Sequence, residues 1–338
     1  MTQLKSADLS ELDFDTIKTN LKAFLKNQDE FTDYDFDGSA LSILLDVLAY
    51  NTHYNAYIAN MVANEMFLDS AVKRSSAISA AKQIGYTPAS ARSARAKINV
   101  TVNSPEGNPD TLTIDAKTPF TATVNDNTFS FFNLEATTIT PVAGVYTVNN
   151  LDVVEGEVVN LQFASATPGP DEKFEIPDPN IDTSTLKVTI QSAASNTSAT
   201  AFNLTVDTTN VTSTSRVFFL EMNPTERYEI FFGDGNLGKL LENGNIINVE
   251  YLKSTGIPAN TSNNATVAFT TSSIGGSTDI DITTVQNPSS ARAADQLTDI
   301  KFKAPRVNAA RNRAVTAADY KALIEANFTD AESVVVFG

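Results

Sequence analysis

The chain has 338 residues, 42% of them hydrophobic, which excludes a disordered chain and allows two or three domains with a sizeable core. A formal net charge of −16 argues against a broad nucleic-acid surface, which needs clustered Lys and Arg to release counterions, and disfavours anionic membranes. No Cys and a single His exclude a disulfide framework and a thiolate metal site, and leave few nucleophile–base pairs for a Ser-His-Asp or Cys-His enzyme.

No apolar run reaches the length of a membrane span, and the N-terminus lacks the apolar stretch of a signal peptide. Residues 1–95 read as helical. Phe14, Ile17, Leu21, Phe24 and Leu25 recur at helical spacing between Asp13 and Gln28. Asp33, Asp35, Asp37 and Gly38 copy the start of a calcium loop, but the twelfth position is Leu44 where the shell needs a bidentate Glu. A helix start capped by Asp37 or Ser39 is the better reading. A long helix is expected from Gly38 to Phe67, with an interface face of Leu41, Leu44, Leu45, Leu48, Tyr54, Ile58, Met61 and Val62. At 1.5 Å per residue it spans about 42 Å, and its apolar face needs helical partners in the arm or on another chain. His53 has no Cys or second His to join it as a ligand, and is expected to meet a partner or solvent. A further helix is expected from Ser70 to Ile84, with a face of small residues, stopped by Gly85 and Pro88.

From Ala96 the period changes to two: Ala96, Ile98, Val100 and Val102 alternate with Lys97, Asn99 and Thr101. Strands follow to about residue 284, with turns at Asn125-Asp126, Asn243-Gly244 and Gly275-Gly276, and Pro-rich breaks at Pro168–Pro170 and Pro177–Pro179. No helical period interrupts residues 96–290, and no acidic spacing there singles out a catalytic pair. The boundaries read as a helical arm over 1–95, β domains over 96–215 and 216–290, and an α/β unit over 291–338. The fold class is α+β multidomain, its central domains mainly antiparallel.

Residues 227–260 carry the densest signals. Tyr228, Ile230 and Phe232 form one strand face, and Ile247, Val249 and Tyr251 another. Between them, Gly233, Gly235 and Gly238 fit a dinucleotide fingerprint, and Gly233, Gly238 and Lys239 fit part of a P-loop. Both chemistries need the turn to open a helix whose N–H groups hold phosphate. Here Leu240 replaces the metal-binding Ser or Thr, and a turn and strand follow, so a tight β-turn connection is expected instead. No catalytic, metal or cofactor residue is assigned.

At the C-terminal end, a short helix is expected from Ala291 to Phe302. Ala304 and Pro305 then open a basic connection with Arg306, Arg311 and Arg313, suited to an acidic protein surface. Thr316 and Asp319 form a capping-box variant for a helix whose core face is Tyr320, Leu323, Ile324 and Phe328, and a strand runs from Ser333 to Phe337.

Phe232, Gly233, Asp234, Gly235 and Gly238, then Gly244, Ile247, Val249, Tyr251, Gly256 and Asn260, resemble the signature of the Baseplate J-like family, the wedge subunits of contractile-tailed phage baseplates and related injection machines. Ala259 stands where a glycine is common, and Leu240-Leu241 replaces a more proline-rich connection. Asp35–Ser39, Asp46–Asn51, Ala63–Glu65 and Ile84–Pro88 resemble the N-terminal region of the large wedge proteins of myophages, and Ala304-Pro305 with Ala314–Thr316, Asp319 and Tyr320 is a third block. The resemblance implies a structural subunit of the virion tail baseplate, assembled in the host cytoplasm. Its partners are other wedge proteins and a second copy of itself, in a ring around the hub. It needs no cofactor, nucleic acid or membrane. It also implies that the C-terminal unit starts an α/β domain; the stop just after an apolar strand leads to the expectation that the 338 residues are the N-terminal part of a longer gene product, or the ordered part of one. The Thr- and Asn-rich β middle keeps a carbohydrate-binding or glycan-cleaving tail protein as the alternative, although Trp, a common sugar platform, is absent.

Overall fold

The computed structural model describes residues 13–28, 39–103, 105–206, 208–261, 266–310, 313–327 and 334–337. Helix α1 (Phe14–Lys26) is capped by Asp13, whose carboxylate accepts the Thr16 N–H at 2.9 Å. The Thr16 hydroxyl and N–H hold the Asp13 carboxyl below its usual range. Helix α2 (Ala40–Glu65) starts at Ser39, the second of the two expected caps, whose hydroxyl accepts the Ser42 N–H at 3.0 Å. Such a cap is worth about 1 kcal/mol. The calcium-loop segment lies outside the described residues. The two helices pack through Ile17 and Leu45, and Lys18 pairs with Asp46 at 2.5 Å.

Helix α3 (Arg74–Gln83) starts four residues later than its composition predicts. The reason is Glu65: its carboxylate takes the Val72 N–H at 2.8 Å and the Lys73 N–H at 3.2 Å, holding these residues in a turn. The helix ends as expected at Gly85, whose φ of +76 suits glycine. It does not belong to the arm. Ala71, Ala77, Ile78 and Ala81 are buried in the same core as the sheet residues Ile230, Phe232 and Ile247. These small side chains let α3 approach helix α4 (Leu297–Ala310), which adds Ile300 and Ala304 to that core.

The strands form two main sheets. Strand β1 (Arg95–Val102) buries Ala96, Ile98, Val100 and Val102 on one face, as its alternation predicts. It lies between β6 (Tyr146–Glu155) and β15 (Ile280–Ser289), in a six-stranded sheet completed by β4 (Asn127–Phe132), β3 (Pro119–Val124) and the two-residue edge β14 (Phe269–Thr270). The open edges approach each other where the Thr284 hydroxyl donates to the Val267 carbonyl. The turn between β3 and β4 is the expected hairpin: Asn125 and Asp126 both take positive φ, 49 and 65, as a two-residue turn of that hand requires. A short pair, β2 (Leu112–Ile114) and β5 (Thr137–Ile139), covers this module.

The second sheet has seven strands in the order β7 (Glu157–Ala164), β13 (Ile246–Lys253), β9 (Ile181–Gln191), β10 (Ala199–Leu204), β11 (Val217–Met222), β12 (Tyr228–Phe232), β8 (Lys173–Ile176). Among the described residues only the short β10–β11 pairing is parallel. Phe163 on β7 meets Phe174 on β8, with ring centroids 5.4 Å apart, so this sheet also curls toward closure. The whole sheet is inserted into the first module. A boundary at 215/216 therefore falls inside one sheet, and the six-stranded sheet takes strands from both sides of the insertion. Period-two alternation marks strands but carries no information on which sheet each joins.

The two crossings lie side by side. A Cβ on Gly156 would sit 2.9 Å from the Lys253 carbonyl oxygen, so only glycine fits there without displacement. Buried Glu155 ties the crossings together by accepting the Thr255 N–H at 3.2 Å and the Ser254 hydroxyl at 3.4 Å. Burial pushes its carboxyl above the ordinary range despite these donors, and Asp182 adds repulsion. A carboxyl raised in the folded state stabilises the fold when protonated. That contribution is complete below the unfolded value and is lost as pH rises through the folded one. The thermal midpoint of Glu155→Gln is therefore expected to gain on wild type as pH rises from the unfolded carboxyl value of about 4.3 through the raised folded one. Calorimetry across that window checks this, and parallel midpoints would remove the assignment.

The C-terminal region departs most from expectation. Helix α4 runs straight through Pro305 instead of ending before Ala304. Pro305 lacks the N–H that would bond the Lys301 carbonyl, a loss of about 3 kcal/mol in an isolated helix. Buried Ile300 and Ala304, and Arg306 stacked 3.5 Å over the Phe302 ring, hold the turn together instead. Arg306 is thus on a helix, not in a basic connection, and Arg311 lies outside the described residues. Helix α5 (Ala317–Asn327) has the expected cap: the Thr316 N–H donates to Asp319 at 2.8 Å and the Asp319 N–H to the Thr316 hydroxyl at 3.2 Å. Its core face differs from expectation, because Ala322 is buried while Tyr320 is exposed; Phe328 lies outside the described residues. Residues 334–337 carry no strand.

Candidate assembly surface and glycine loop

Helix α2 spans about 39 Å at 1.5 Å per residue. One stripe of it, Ser42, Leu45 and Ala49, is buried against α1, so Leu45, expected at an interface, is already covered within the chain. Leu41 is half-buried. The other expected residues stand in the open: Leu44 is 58% exposed and Leu48 55%, and Tyr54, Ile58, Met61 and Val62 are exposed with them. Ile43, Val47, Tyr50 and Tyr57 are exposed as well, on faces that a single-stripe reading leaves out. The sequence signal was present, since nearly every position from 41 to 50 is apolar. A helix apolar on almost all sides is stable only when surrounded. His53 is half-buried and close enough to Asp13 to contribute to lowering its carboxyl.

The glycine loop between β12 and β13 does not join neighbouring strands, since β9, β10 and β11 lie between them. It is therefore not the tight strand-to-strand connection its turn residues predict. Gly233 and Gly238 lie back to back: a Cβ on Gly233 would fall 2.3 Å from the Gly238 carbonyl carbon. Gly235 and Gly238 take φ of 86 and 87. The amide donors of residues 235–239 are engaged within the chain. Asn236 and Leu237 donate to the Asp234 carboxylate at 2.9 and 2.8 Å and hold it below its usual range. Gly235 donates to the Gly238 carbonyl, Gly238 to Thr212 and Lys239 to Ser215. No helix follows. The motif residues Phe232, Gly233, Asp234, Gly235, Gly238, Gly244 and Tyr251 thus build a loop pinned to the 212–215 turn and the strands beside it. Ala304 sits in the core, Pro305 within α4, Asp319 at a cap and Tyr320 on the surface, so the arrangement does not gather these motif residues at one place.

Among the described residues no group of His, Asp and Glu could hold a metal ion, and no helix is long and apolar enough to cross a membrane. The geometry defines a modular β protein carrying an exposed apolar helical arm. Residues 13–86 match the family model described as baseplate wedge protein gp6-like, helical domain. The chain is 30% identical over 271 residues to baseplate wedge protein gp6 of Enterobacteria phage T4, a stretch covering 73% of this chain and 39% of that protein. The chain thus spans less than half the length of the curated relative it matches. Both comparisons find similarity to baseplate wedge proteins, the class that its motifs resemble. A solved structure, the cryo-EM structure of the anti-feeding prophage (AFP) baseplate, 6-fold symmetrised, aligns over 93% of this chain and 64% of that one, with 11% identity and a TM-score of 0.33. That score is too low to establish a common fold.

Proposed function

We propose that this chain is a structural subunit of a contractile-tail baseplate wedge, located in the tail baseplate of the virion and assembled in the host cytoplasm. The observation that carries this is the apolar surface of α2, open on every side except the α1 seam, within the stretch that matches the wedge helical domain. The arm contributes α1 and α2 to a helical bundle with a second copy and another wedge protein. The β modules, inserted one into the other and tied at Glu155, serve as one stiff body that joins neighbouring wedges around the hub. Firm contacts in the bundle and weaker contacts between wedges let the ring rearrange and transmit the change that triggers sheath contraction. The function requires no covalent chemistry and no cofactor.

The test is the mass of the purified chain by light scattering across a concentration series, repeated after co-expression with the neighbouring tail proteins. A dimer or larger assembly in either setting is the expected result. A monomer in both overturns the reading.

A further inference from the structure

Two cross-strand neighbours on the outer face of the inserted sheet carry opposite charges, yet each reaches across to the other module. Lys187 on β9 lies in register with Glu250 on β13. The Lys187 ammonium donates to the Leu134 carbonyl at 2.7 Å and to the Glu135 carboxylate at 2.8 Å, both in the first module. Glu250 accepts from the Lys117 ammonium, also in the first module. Each module thus supplies one lysine and one glutamate to a reciprocal pair of contacts. Lys117, Lys187 and Glu250 are half-buried, and Glu135 is exposed.

The first module builds its half of this arrangement around one buried side chain, Asn133. Its amide donates to the Asp115 and Glu135 carbonyls at 2.8 and 2.9 Å, and its side-chain oxygen accepts the Thr118 N–H at 2.9 Å. The Asn133 backbone carbonyl accepts the Lys117 N–H at 2.7 Å and holds Lys117 at a φ of 65, uncommon for a residue with a Cβ. Asn133 thereby positions both Lys117 and Glu135. Nearer the crossings, the Arg95 guanidinium donates to the Ser184 hydroxyl at 3.0 Å, and Gly156 and Gly256 lie in the connecting chain. Glu250 and Lys187 lie further along their strands, about 10 Å or more from the crossings. They also line a cavity of about 510 Å³ on the outer face of β7, β13 and β9, which leaves their side chains room to turn toward each other.

We propose that these four charges form a two-position latch between the modules. In the closed position, the one in the structure, Lys117 pairs with Glu250 and Lys187 with Glu135. In the open position the inserted module swings about the crossings, Lys187 pairs with its cross-strand neighbour Glu250, and Lys117 pairs with Glu135. Opposed cross-strand Cβ atoms lie about 4.5–5.5 Å apart, so the Lys187–Glu250 pair needs no change in the sheet. No charge loses its partner in either position. Ion pairs this open to solvent are individually weak, so exchanging them keeps the two positions close in free energy. The Leu134 carbonyl serves only the closed position and biases the resting chain toward it. The latch rests on the reading of the two modules as one body and names what locks them together. It is measured within a single chain, so its failure leaves assembly through the arm untouched.

The chain has no cysteine, so spin labels at Thr121→Cys and Ser195→Cys, exposed positions on the two modules, report their separation by double electron–electron resonance. The labelled full chain is diluted into unlabelled chain, so that only distances within one chain are read. Without further change it is expected to give one dominant distance. Exchanging the charges of the first module, Lys117→Glu with Glu135→Lys, makes both inter-module contacts repulsive while keeping the pair within the module. It is expected to lower the closed-to-open ratio about tenfold or more and to bring up a second distance. Lys187→Glu with Glu250→Lys is expected to do the same from the other side, so the proposal stays testable if one pair of substitutions fails to fold. All four exchanges together re-create the inter-module pairs and are expected to restore the original distance, which a merely damaged loop would not. A folded pair-exchange variant that keeps the original distance alone, or a folded quadruple variant that does not regain it, overturns the proposal.

Discussion

Replacing Leu44 and Leu48 together by Asp is expected to leave the chain folded but unable to assemble. Both side chains are more than half exposed in the single chain, so the folding cost is confined to helix propensity, about 0.5 kcal/mol each. In an assembled bundle the same positions lose about 1.5–3 kcal/mol of burial each, and two carboxylates must also be desolvated. The matched control is Leu45→Asp. Leu45 is only 3% exposed and sits on the α1 seam, so a charge there is buried without a partner and opens the α1–α2 pair at a cost of about 3–5 kcal/mol. Circular dichroism should therefore separate the two variants: helical signal is kept in the double mutant and reduced in the control, while the β signal is kept in both. Light scattering should show the double mutant monomeric under conditions where the wild type assembles. Normal assembly by a folded double mutant would falsify the arm as an interface.

The contrast between Leu45 and its neighbours shows what sequence can and cannot specify. Spacing alone put Leu41, Leu44, Leu45 and Leu48 on one face, because an apolar run longer than half a turn leaves the direction of burial undetermined. Only the packing of α1 selects the Ser42–Leu45–Ala49 stripe. Local chemistry was legible wherever the cause was local. The Ser39 cap, the Thr316–Asp319 box, the Asn125-Asp126 turn and the alternation of β1 each depend on residues within a few positions of one another. Long-range pairing left no such trace. The seven-stranded module begins and ends at Gly156 and Lys253, and the strands on either side of it reunite across more than 100 residues of chain. Arg92 and Arg292, 200 positions apart, become neighbours only through that closure. Pro305 misled for a related reason. Its local effect is to break a helix, and the packing of Ile300 and Ala304 against α3 outweighs it.

Gly233→Ala is expected to be among the most damaging single substitutions in the β region, costing about 3 kcal/mol. The added Cβ would lie 2.3 to 2.4 Å from the Gly238 carbonyl group and the Leu237 carbonyl oxygen. These are backbone atoms, so relief requires moving the loop itself. The loop cannot move alone, because Gly238 and Lys239 donate to Thr212 and Ser215 and Leu241 is buried behind them. Gly235→Ala is the comparison: its φ of 86 strains an alanine, but the nearest atom to the new Cβ is the Leu240 Cβ at an ordinary 3.6 Å. That substitution is expected to cost about 1–2 kcal/mol, the strain of a left-handed alanine alone. Urea unfolding with unchanged slopes should show the Gly233 variant losing more than the Gly235 variant. Reversal of that order would mean that the close glycine contact does not govern the loop. The predicted order also separates the motif's structural role from a phosphate site. In a phosphate cradle Gly235, at the tip, would be the sensitive position; here the sensitive position is the glycine that lets strand β12 turn back under Gly238.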